Sequence, residues 1–174
     1  MRMVILGNSG SGKTWLARAL AQHAAVPVIH LDELFWEPGG FDRKRSAETI
    51  DSLVAKGRAG SCWIVEGVFG DLAAKFLEDA DTLVWLDLSW PVCEARLLQR
   101  GCESKQHMER AQSEQGLKNL LAWACEYYTR KDPRSREGHQ LLFSNFPRKK
   151  DRLEDGPAVM EFVDRFLQIV WAPR

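Results

Sequence analysis

The most chemically suggestive run of residues lies near the start of the chain, where glycines, a lysine and a threonine are closely spaced. It reads Gly7, Asn8, Ser9, Gly10, Ser11, Gly12, Lys13 and Thr14, and it fits the pattern G-x-x-x-x-G-K-[ST]. In such a loop successive backbone N–H groups turn inward and surround a phosphate. We expect Lys13 to reach the β and γ phosphates of a nucleotide and the Thr14 hydroxyl to hold Mg²⁺. A glycine-rich turn that only caps a helix is the alternative.

Three acidic residues each follow a short apolar run that predicts a strand; they are Asp32, Glu66 and Asp87. Because the carboxyl ends of parallel strands meet at one edge of a sheet, we expect these carboxylates to lie near the bound phosphates. Mg²⁺ usually takes few protein ligands and keeps waters, so one of Glu66 and Asp87 is expected to hold a Mg²⁺-bound water. Alternatively, Asp32 and Asp87 cap the helices that follow them, and Glu66 merely ends a strand.

Apolar runs and helix signals alternate along the chain. Strands are predicted at 3–6, 27–31, 62–66, 82–87 and 149–153. Helices are predicted at 14–24, 43–57, 71–78, 91–100, 107–130, 136–145 and 157–170. Several of the strands are continuously apolar, as expected for strands that are covered on both faces. The alternation predicts an α/β fold with a parallel sheet, and the length of 174 residues predicts a single domain over 1–174.

The composition excludes several classes of protein. The chain has 24 basic and 24 acidic residues and a formal net charge of zero, which argues against a protein that coats nucleic acid. No run approaches the length of a membrane span. The four cysteines form no C-x-x-C pair, so neither a zinc site nor a redox pair is indicated. The first strand begins almost at once, which leaves no room for a signal peptide, and we expect a reduced, cytoplasmic protein.

Taken together, these features resemble the adenylate kinase-like P-loop proteins, and among them the branch known as DNA topology modulation or adenylate kinase-related proteins. The resemblance rests on the phosphate loop, on His30-Leu31-Asp32 with Trp36, on the run Trp-Ile-Val-Glu-Gly at 63–67, and on Arg96 and Arg100. It covers most of the chain up to about residue 100, and the remainder more loosely.

The resemblance implies a three-layer P-loop NTPase fold, in which a five-stranded parallel sheet of order 2-3-1-4-5 is flanked by helices. It also implies ATP as the phosphoryl donor, an acceptor-binding insert over residues 32–60, and a helical lid over about 101–136. Arg96 and Arg100 are four residues apart on one helix face. They stand where lid arginines stand in this family, which implies that they neutralise phosphate charge; a solvated surface pair is the alternative.

The chain departs from the family pattern in three places. Adenylate kinases have Asp-Gly where this chain has Glu66-Gly67, which is one methylene longer. The Phe-Pro-Arg that follows in adenylate kinases is replaced by Val68-Phe69-Gly70, so the arginine that clamps a nucleoside monophosphate is missing. Many P-loop kinases place a second small hydroxyl residue after the loop threonine to touch the α-phosphate. Here that position is Trp15, which we assign to the nucleotide site although it cannot make that contact.

A second basic cluster follows the long predicted helix and contains Arg130, Lys131, Arg134 and Arg136. Asp132-Pro133 interrupts helical structure, so these side chains are expected on a loop. Because the segment lies in the implied lid, we expect at least one of its arginines, Arg130 or Arg134, to contact phosphate. A basic run of this kind is otherwise a solvated surface.

The acceptor side is expected to follow Asp32 directly. Phe35 and Trp36 either stack on a flat ligand or close a small core under the insert. Asp32 is the best candidate to orient or deprotonate an acceptor hydroxyl. His30 lies two residues earlier in the chain, and we expect it to face the other side of the strand in a structural role.

These observations favour a Mg²⁺-dependent phosphotransferase that uses ATP and a small-molecule acceptor. The alternative is an ATP-dependent switch or regulatory ATPase without such an acceptor, which the missing arginine and Trp15 motivate. A protein that acts directly on DNA is a third reading, against which the neutral charge and the lack of a DNA-reading motif speak. No motif encodes the acceptor or an oligomeric state.

Overall fold

The structure is a computed structural model, and it describes residues 1–39, 43–101 and 110–171. The strands are β1 (Arg2–Gly7), β2 (Val28–His30), β3 (Trp63–Gly67), β4 (Thr82–Leu86) and β5 (Lys149–Leu153). The helices are α1 (Lys13–Ala24), α2 (Leu31–Phe35), α3 (Ala47–Arg58), α4 (Gly70–Leu77), α5 (Trp90–Arg100), α6 (Arg110–Cys125), α7 (Arg136–Asn145) and α8 (Gly156–Trp171). A single 3₁₀ turn, Glu126–Tyr128, follows α6.

The five strands form one parallel sheet in the order β2-β3-β1-β4-β5, which confirms the predicted sheet and strand order. In the register of this sheet Glu66 on β3 lies opposite Ile5 on β1 and His30 on β2. The carboxyl ends of these strands are therefore level, and the loops that follow them meet at one edge.

Helices cover both faces of the sheet because side chains alternate along each strand. On β1, Val4 and Leu6 face a core that contains side chains of α3, α4 and α7, whereas Met3 and Ile5 face a core that contains side chains of α1 and α8. The result is three layers with the sheet in the middle. This burial from two sides explains why several strands read as continuous apolar runs.

Most element boundaries lie close to the predicted ones, and β5 and α7 match them at both ends. The helix predicted at 43–57 begins only at Ala47, because the Ser46 hydroxyl accepts a hydrogen bond from the Thr49 N–H and caps the helix there. The short helix α2 was not predicted. The apolar run at its start continues β2, and the sequence carries no cap residue between them.

The long helix predicted at 107–130 is shorter in the part of the chain that the structure describes. There it runs over Arg110–Cys125 and gives way to the 3₁₀ turn, while residues 107–109 lie outside the described residues. Among all the residues that the structure describes, no helix combines the length and the apolar character that a membrane crossing requires.

Candidate functional site

The loop at residues 7–14 connects β1 to α1, as predicted. Gly10 and Gly12 have φ angles of +80° and +97°, in the left-handed region that favours glycine. A Cβ atom on Gly10 would also collide with the Cys93 carbonyl of α5. Because Gly12 is the residue that precedes α1, the loop N–H groups and the positive end of the helix lie together. This cradle fits a phosphate group.

Two polar groups of the loop also fit an anion. The Lys13 ammonium donates to the Asn8 carbonyl at 2.7 Å and so spans the loop, and burial lowers its pKa. The Ser11 hydroxyl is buried and has no hydrogen-bond partner among the described residues. Since an unpaired buried hydroxyl is costly, a ligand oxygen at this loop would satisfy a group that the protein leaves open.

Glu66 meets the end of the phosphate loop directly. Its side chain is buried at the end of β3, and its Oε1 accepts a hydrogen bond from the Thr14 hydroxyl at 3.0 Å. The His30 Nδ1 lies 2.6 Å from the same oxygen. Burial alone would raise the pKa of Glu66, but the hydrogen bond from His30, together with Lys13 and Thr14, holds it below its ordinary value. The same hydrogen bond raises the pKa of His30.

His30 therefore lies beside the acid that the sequence assigned to the metal. The prediction set His30 and Asp32 on opposite sides of one strand, but β2 ends at His30 and Asp32 lies in the first turn of α2. The decisive relation is the pairing of β2 with β3, which sets His30 opposite Glu66. Neighbouring residues in register point to the same face of a sheet. The sequence holds no local signal for this register.

Thr14 and Glu66 form a donor set that fits Mg²⁺. This ion prefers oxygen ligands and is usually bound by one or two protein groups together with substrate phosphates and waters. No group of three or more His, Cys, Asp or Glu side chains suited to a metal occurs in the described part of the chain. The sparse set matches an ion that is held mainly by nucleotide phosphates rather than by a protein cage.

Asp87, the other predicted metal residue, has different neighbours. Its side chain is 1% exposed. Its Oδ1 and Oδ2 accept hydrogen bonds from the Arg136 guanidinium at 2.8 and 2.7 Å, and Oδ2 also accepts from Arg152 at 2.5 Å. Both oxygens are thus engaged by arginines of α7 and β5. The metal role of Asp87 stays a prediction, and this geometry favours Glu66.

The two arginines of α5 lie toward the phosphate loop. The Arg96 Nη1 donates to the Ser11 carbonyl at 2.8 Å, beside Gly12. Arg100 is exposed one turn further along the helix, and it is close enough for its charge to contribute to lowering the pKa of Lys13. The helix thus places Arg96 against the loop that would hold the nucleotide phosphates, and Arg100 follows one turn later.

Arg130 forms hydrogen bonds within its own part of the chain. Its guanidinium donates to the Trp123 carbonyl at 2.8 Å and to the Arg134 carbonyl at 3.0 Å. It also lies 4.2 Å from the centre of the Trp123 ring. With Nη1 and Nη2 on backbone carbonyls, Nε 3.3 Å from Asp132 Oδ2 and its face on a ring, Arg130 orders the segment that leads to Arg134.

Arg134 lies on the other side of the site, between aromatic rings. Its guanidinium carbon is 4.5 Å from the ring centres of both Phe35 and Phe69, and the side chain pairs with Asp71 at 3.6 Å. Phe35 is 4% exposed, so of the two alternatives for this ring the structure shows the core role. Phe69 belongs to the segment that lacks the expected arginine, and Arg134 supplies a cation there from a distant part of the chain.

Two glycines hold the loop that carries Arg134. A Cβ atom on Gly138 of α7 would lie 2.5 Å from the Asp132 carbonyl oxygen, and one on Gly70 of α4 would collide with the Pro133 carbonyl. Backbone therefore packs on backbone at both helix starts. The loop is fixed against α4 and α7, and Arg134 is fixed with it.

Asp32 lies in the first turn of α2, partly buried. Burial raises its pKa, and the positive charge of Lys13 partly opposes that shift. The charge of Glu66 raises the pKa further. The charges of Lys13 and Glu66 therefore both influence Asp32, whose catalytic role stays a prediction.

A chain of buried hydrogen bonds connects β4 to the residue that follows β3. The Trp85 Nε1–H donates to the Tyr127 hydroxyl at 3.1 Å, and that hydroxyl lies 2.8 Å from the His139 Nδ1. The His139 Nε2 lies 3.0 Å from the Val68 carbonyl, so the ring donates there and accepts from Tyr127. Burial lowers the pKa of His139 to about 4 and keeps the ring neutral.

A groove of about 450 Å³ opens beside the phosphate loop. Its lining comes from the loop, from the first turn of α1, from the end of β4, from α5 and from the start of α8. The residues are Ser11, Gly12, Trp15, Leu86, Arg96, Gly156, Val159 and Met160. Trp15 is 53% exposed. The volume is in the range of small-ligand sites.

Comparison with known proteins gives structural but no sequence relatives. No family model and no curated protein matches the chain. A gluconokinase from Sinorhizobium meliloti 1021 superposes with a TM-score of 0.54 at 20% identity, over 97% of this chain and 90% of that one. A shikimate kinase from Bacteroides thetaiotaomicron gives 0.51 at 19% identity, over 99% of each chain.

A deoxyadenosine kinase from M. mycoides gives a TM-score of 0.52 at 13% identity, over 98% of this chain and all of that one (100%). These three proteins match nearly the whole length of the chain in structure, at 20% sequence identity or less. The chain therefore has the fold of the P-loop kinases.

Proposed function

We propose that this protein is a Mg²⁺-dependent phosphotransferase that moves the γ-phosphoryl group of ATP to a small-molecule acceptor, within the adenylate kinase-related branch. The observation that carries the proposal is that Lys13, Thr14 and Glu66 lie together at the glycine-rich loop. Asp32 is close enough for the charges of Lys13 and Glu66 to change its pKa. A phosphate site, a cation, a metal-binding pair and a candidate base thus share one sheet edge.

On the donor side the residues bind and neutralise phosphate. The loop N–H groups hold the β-phosphate, and Lys13 moves from the Asn8 carbonyl to the β and γ oxygens. Arg96 and Arg100 stabilise the charge that spreads over the γ oxygens in the transition state. Thr14 and Glu66 would hold Mg²⁺, which supplies additional positive charge at the phosphates.

On the acceptor side Asp32 accepts the proton. The acceptor oxygen forms a bond to the γ-phosphorus while the bond from that phosphorus to the β–γ bridging oxygen breaks, and its electron pair leaves with ADP. The hydroxyl proton passes to Asp32, whose raised pKa suits a general base. We assign residues 32–60 to the acceptor side, because the Phe35 ring in this segment contacts two cations, Lys44 and Arg134.

The test is ADP production from Mg·ATP against a panel of nucleoside monophosphates, nucleosides, sugars and hydroxy acids. Lys13→Ala is expected to lower acceptor-dependent production by about 10²–10³-fold, as for the loss of one preorganised transition-state contact. Lys149→Ala, which removes an exposed lysine at the start of β5, is the matched control and should leave the rate unchanged.

Full activity in Lys13→Ala would overturn the proposal. A slow ADP production that depends on Lys13 but ignores every acceptor would instead favour the regulatory ATPase. That second function is supported by the segment Val68-Phe69-Gly70, which carries no arginine for a monophosphate.

A further inference from the structure

Trp15 is a large apolar side chain in an unusual place. It occupies the first turn of α1, two residues after Lys13, and more than half of its surface is exposed. Leu16 and Ala17, its neighbours in the helix, are fully buried against the sheet. Trp15 therefore contributes little to the core, and its ring borders the groove beside the phosphate loop.

That groove is continuous with the phosphate site. Ser11 and Gly12 line it and also belong to the loop, so a ligand whose phosphates lie in the loop has its remaining part directed to this groove or to open solvent. Val159 and Met160 of α8 also line the groove, and Met160 is itself 51% exposed. Two exposed apolar side chains thus face a space next to a polar loop.

We propose that Trp15 stacks on the purine base of the donor nucleotide, and that the donor site selects by the size of the base rather than by its functional groups. This inference rests on the proposed function, because it requires a nucleotide in the phosphate loop. Trp15 then contacts the base of the donor nucleotide. In kinases with a small hydroxyl residue at this position, that residue touches the α-phosphate instead.

The lining of the groove supports size selection. Leu86, Val159 and Met160 offer apolar atoms to a base and no hydrogen-bond groups from their side chains. The Arg96 guanidinium is held at the Ser11 carbonyl, where it faces the phosphate end. Stacking on an aromatic ring tolerates every base, and a purine offers more ring area than a pyrimidine.

Equilibrium binding of ATP, GTP, CTP and inorganic tripolyphosphate by calorimetry tests the inference. Wild-type protein should bind ATP and GTP within about threefold of each other and CTP at least about fivefold more weakly. Trp15→Ala should weaken ATP binding by about 10-fold, within the range measured for stacking on one base, and should leave tripolyphosphate binding unchanged. Trp15→Phe should retain most of the affinity for ATP, because it keeps a ring.

Leu98→Ala is the matched control, because Leu98 is also 53% exposed but lies outside the groove on α5. ATP binding by Trp15→Ala at wild-type strength overturns the inference. Equal losses for ATP and tripolyphosphate overturn it as well, since they indicate a distorted loop. Wild-type protein that binds neither ligand overturns the proposed function, which separates that failure from the failure of the stacking.

Discussion

Glu66 and Asp87 end two strands that both neighbour β1, and both carboxylates are buried, yet their surroundings differ. Glu66 accepts from a neutral hydroxyl and from His30. Asp87 accepts from two guanidinium groups. The first carboxylate has capacity left for a metal ion and its waters, whereas the charge of the second is already neutralised.

The two histidines near these acids repeat the contrast. The hydrogen bond to Glu66 raises the pKa of His30, which favours the charged form of this ring. Burial lowers the pKa of His139 to about 4, so that ring is neutral near neutral pH. We call the end of β3 the open region, because its carboxylate keeps capacity for a metal ion, and the end of β4 the closed region, because its carboxylate is held by two arginines.

The largest expected effect is on stability at the closed region. Asp87→Asn should lower the free energy of unfolding by about 3 kcal/mol, at the lower end of the range for a broken buried pair because both arginines are partly exposed. The loss arises because Arg136 and Arg152 are left close together with one carboxylate charge removed. Urea denaturation measures it.

Glu154→Gln is the control for Asp87→Asn. Glu154 pairs with the same Arg152 at 3.0 Å, but it is 65% exposed. The loss of an exposed pair should change the free energy of unfolding by less than about 1 kcal/mol. Equal losses of stability in the two variants would show that the buried pair of Asp87 stabilises the fold no more than the exposed pair of Glu154. The contrast drawn between Asp87 and Glu66 would then fail.

The next effect is on activity at the open region. Glu66→Gln should lower the rate of phosphoryl transfer by about 100-fold at fixed magnesium, equivalent to about 2.7 kcal/mol, and raise the magnesium concentration needed for half-maximal rate. An amide keeps the contact to Thr14 but loses the charge that a metal-bound water requires. Steady-state kinetics over a magnesium titration measures both quantities.

The opposite result would assign the metal to Asp87 instead of Glu66. If Glu66→Gln kept the wild-type magnesium dependence while folded Asp87→Asn lost it, then Asp87 would be the acid that serves the metal.

The smallest effect is a pH dependence of stability from His139. Its pKa is lower in the folded protein than in the unfolded chain, so the unfolded chain binds more protons between the two values. Its contribution is complete above about pH 6.5 and is lost as the pH falls toward about 4. The free energy of unfolding should therefore fall by about 2 kcal/mol between about pH 7 and about pH 5.

Chemical denaturation at both pH values measures this change, and His139→Gln supplies the reference. A variant with the same decrease as wild type would mean that other groups cause it. A larger decrease in His139→Gln than in the wild type would contradict the neutral state of the buried ring.

The sequence predicted those parts of the molecule that depend on neighbouring residues. The phosphate loop and helices such as α7 follow from patterns a few residues long, whereas the order of the strands was predicted only from the resemblance to a known family. The pairing of Asp87 with Arg136 and Arg152 could not be predicted, because it joins residues 49 and 65 positions apart. The contact of His30 with Glu66 depends on the register of two strands, and the position of Arg134 depends on how α2 and α4 pack.

Gly70 and Gly138 bear on how mutational data for this protein should be interpreted. Neither glycine belongs to the proposed donor or acceptor groups, yet any larger residue at either position meets the carbonyls of the Asp132–Pro133 loop. In a saturation screen scored by growth or activity, both positions should be as intolerant as the phosphate loop itself. Intolerance at these two codons would report the fit of backbone to backbone, and only an abundance measurement in parallel would separate them from the residues that bind substrate.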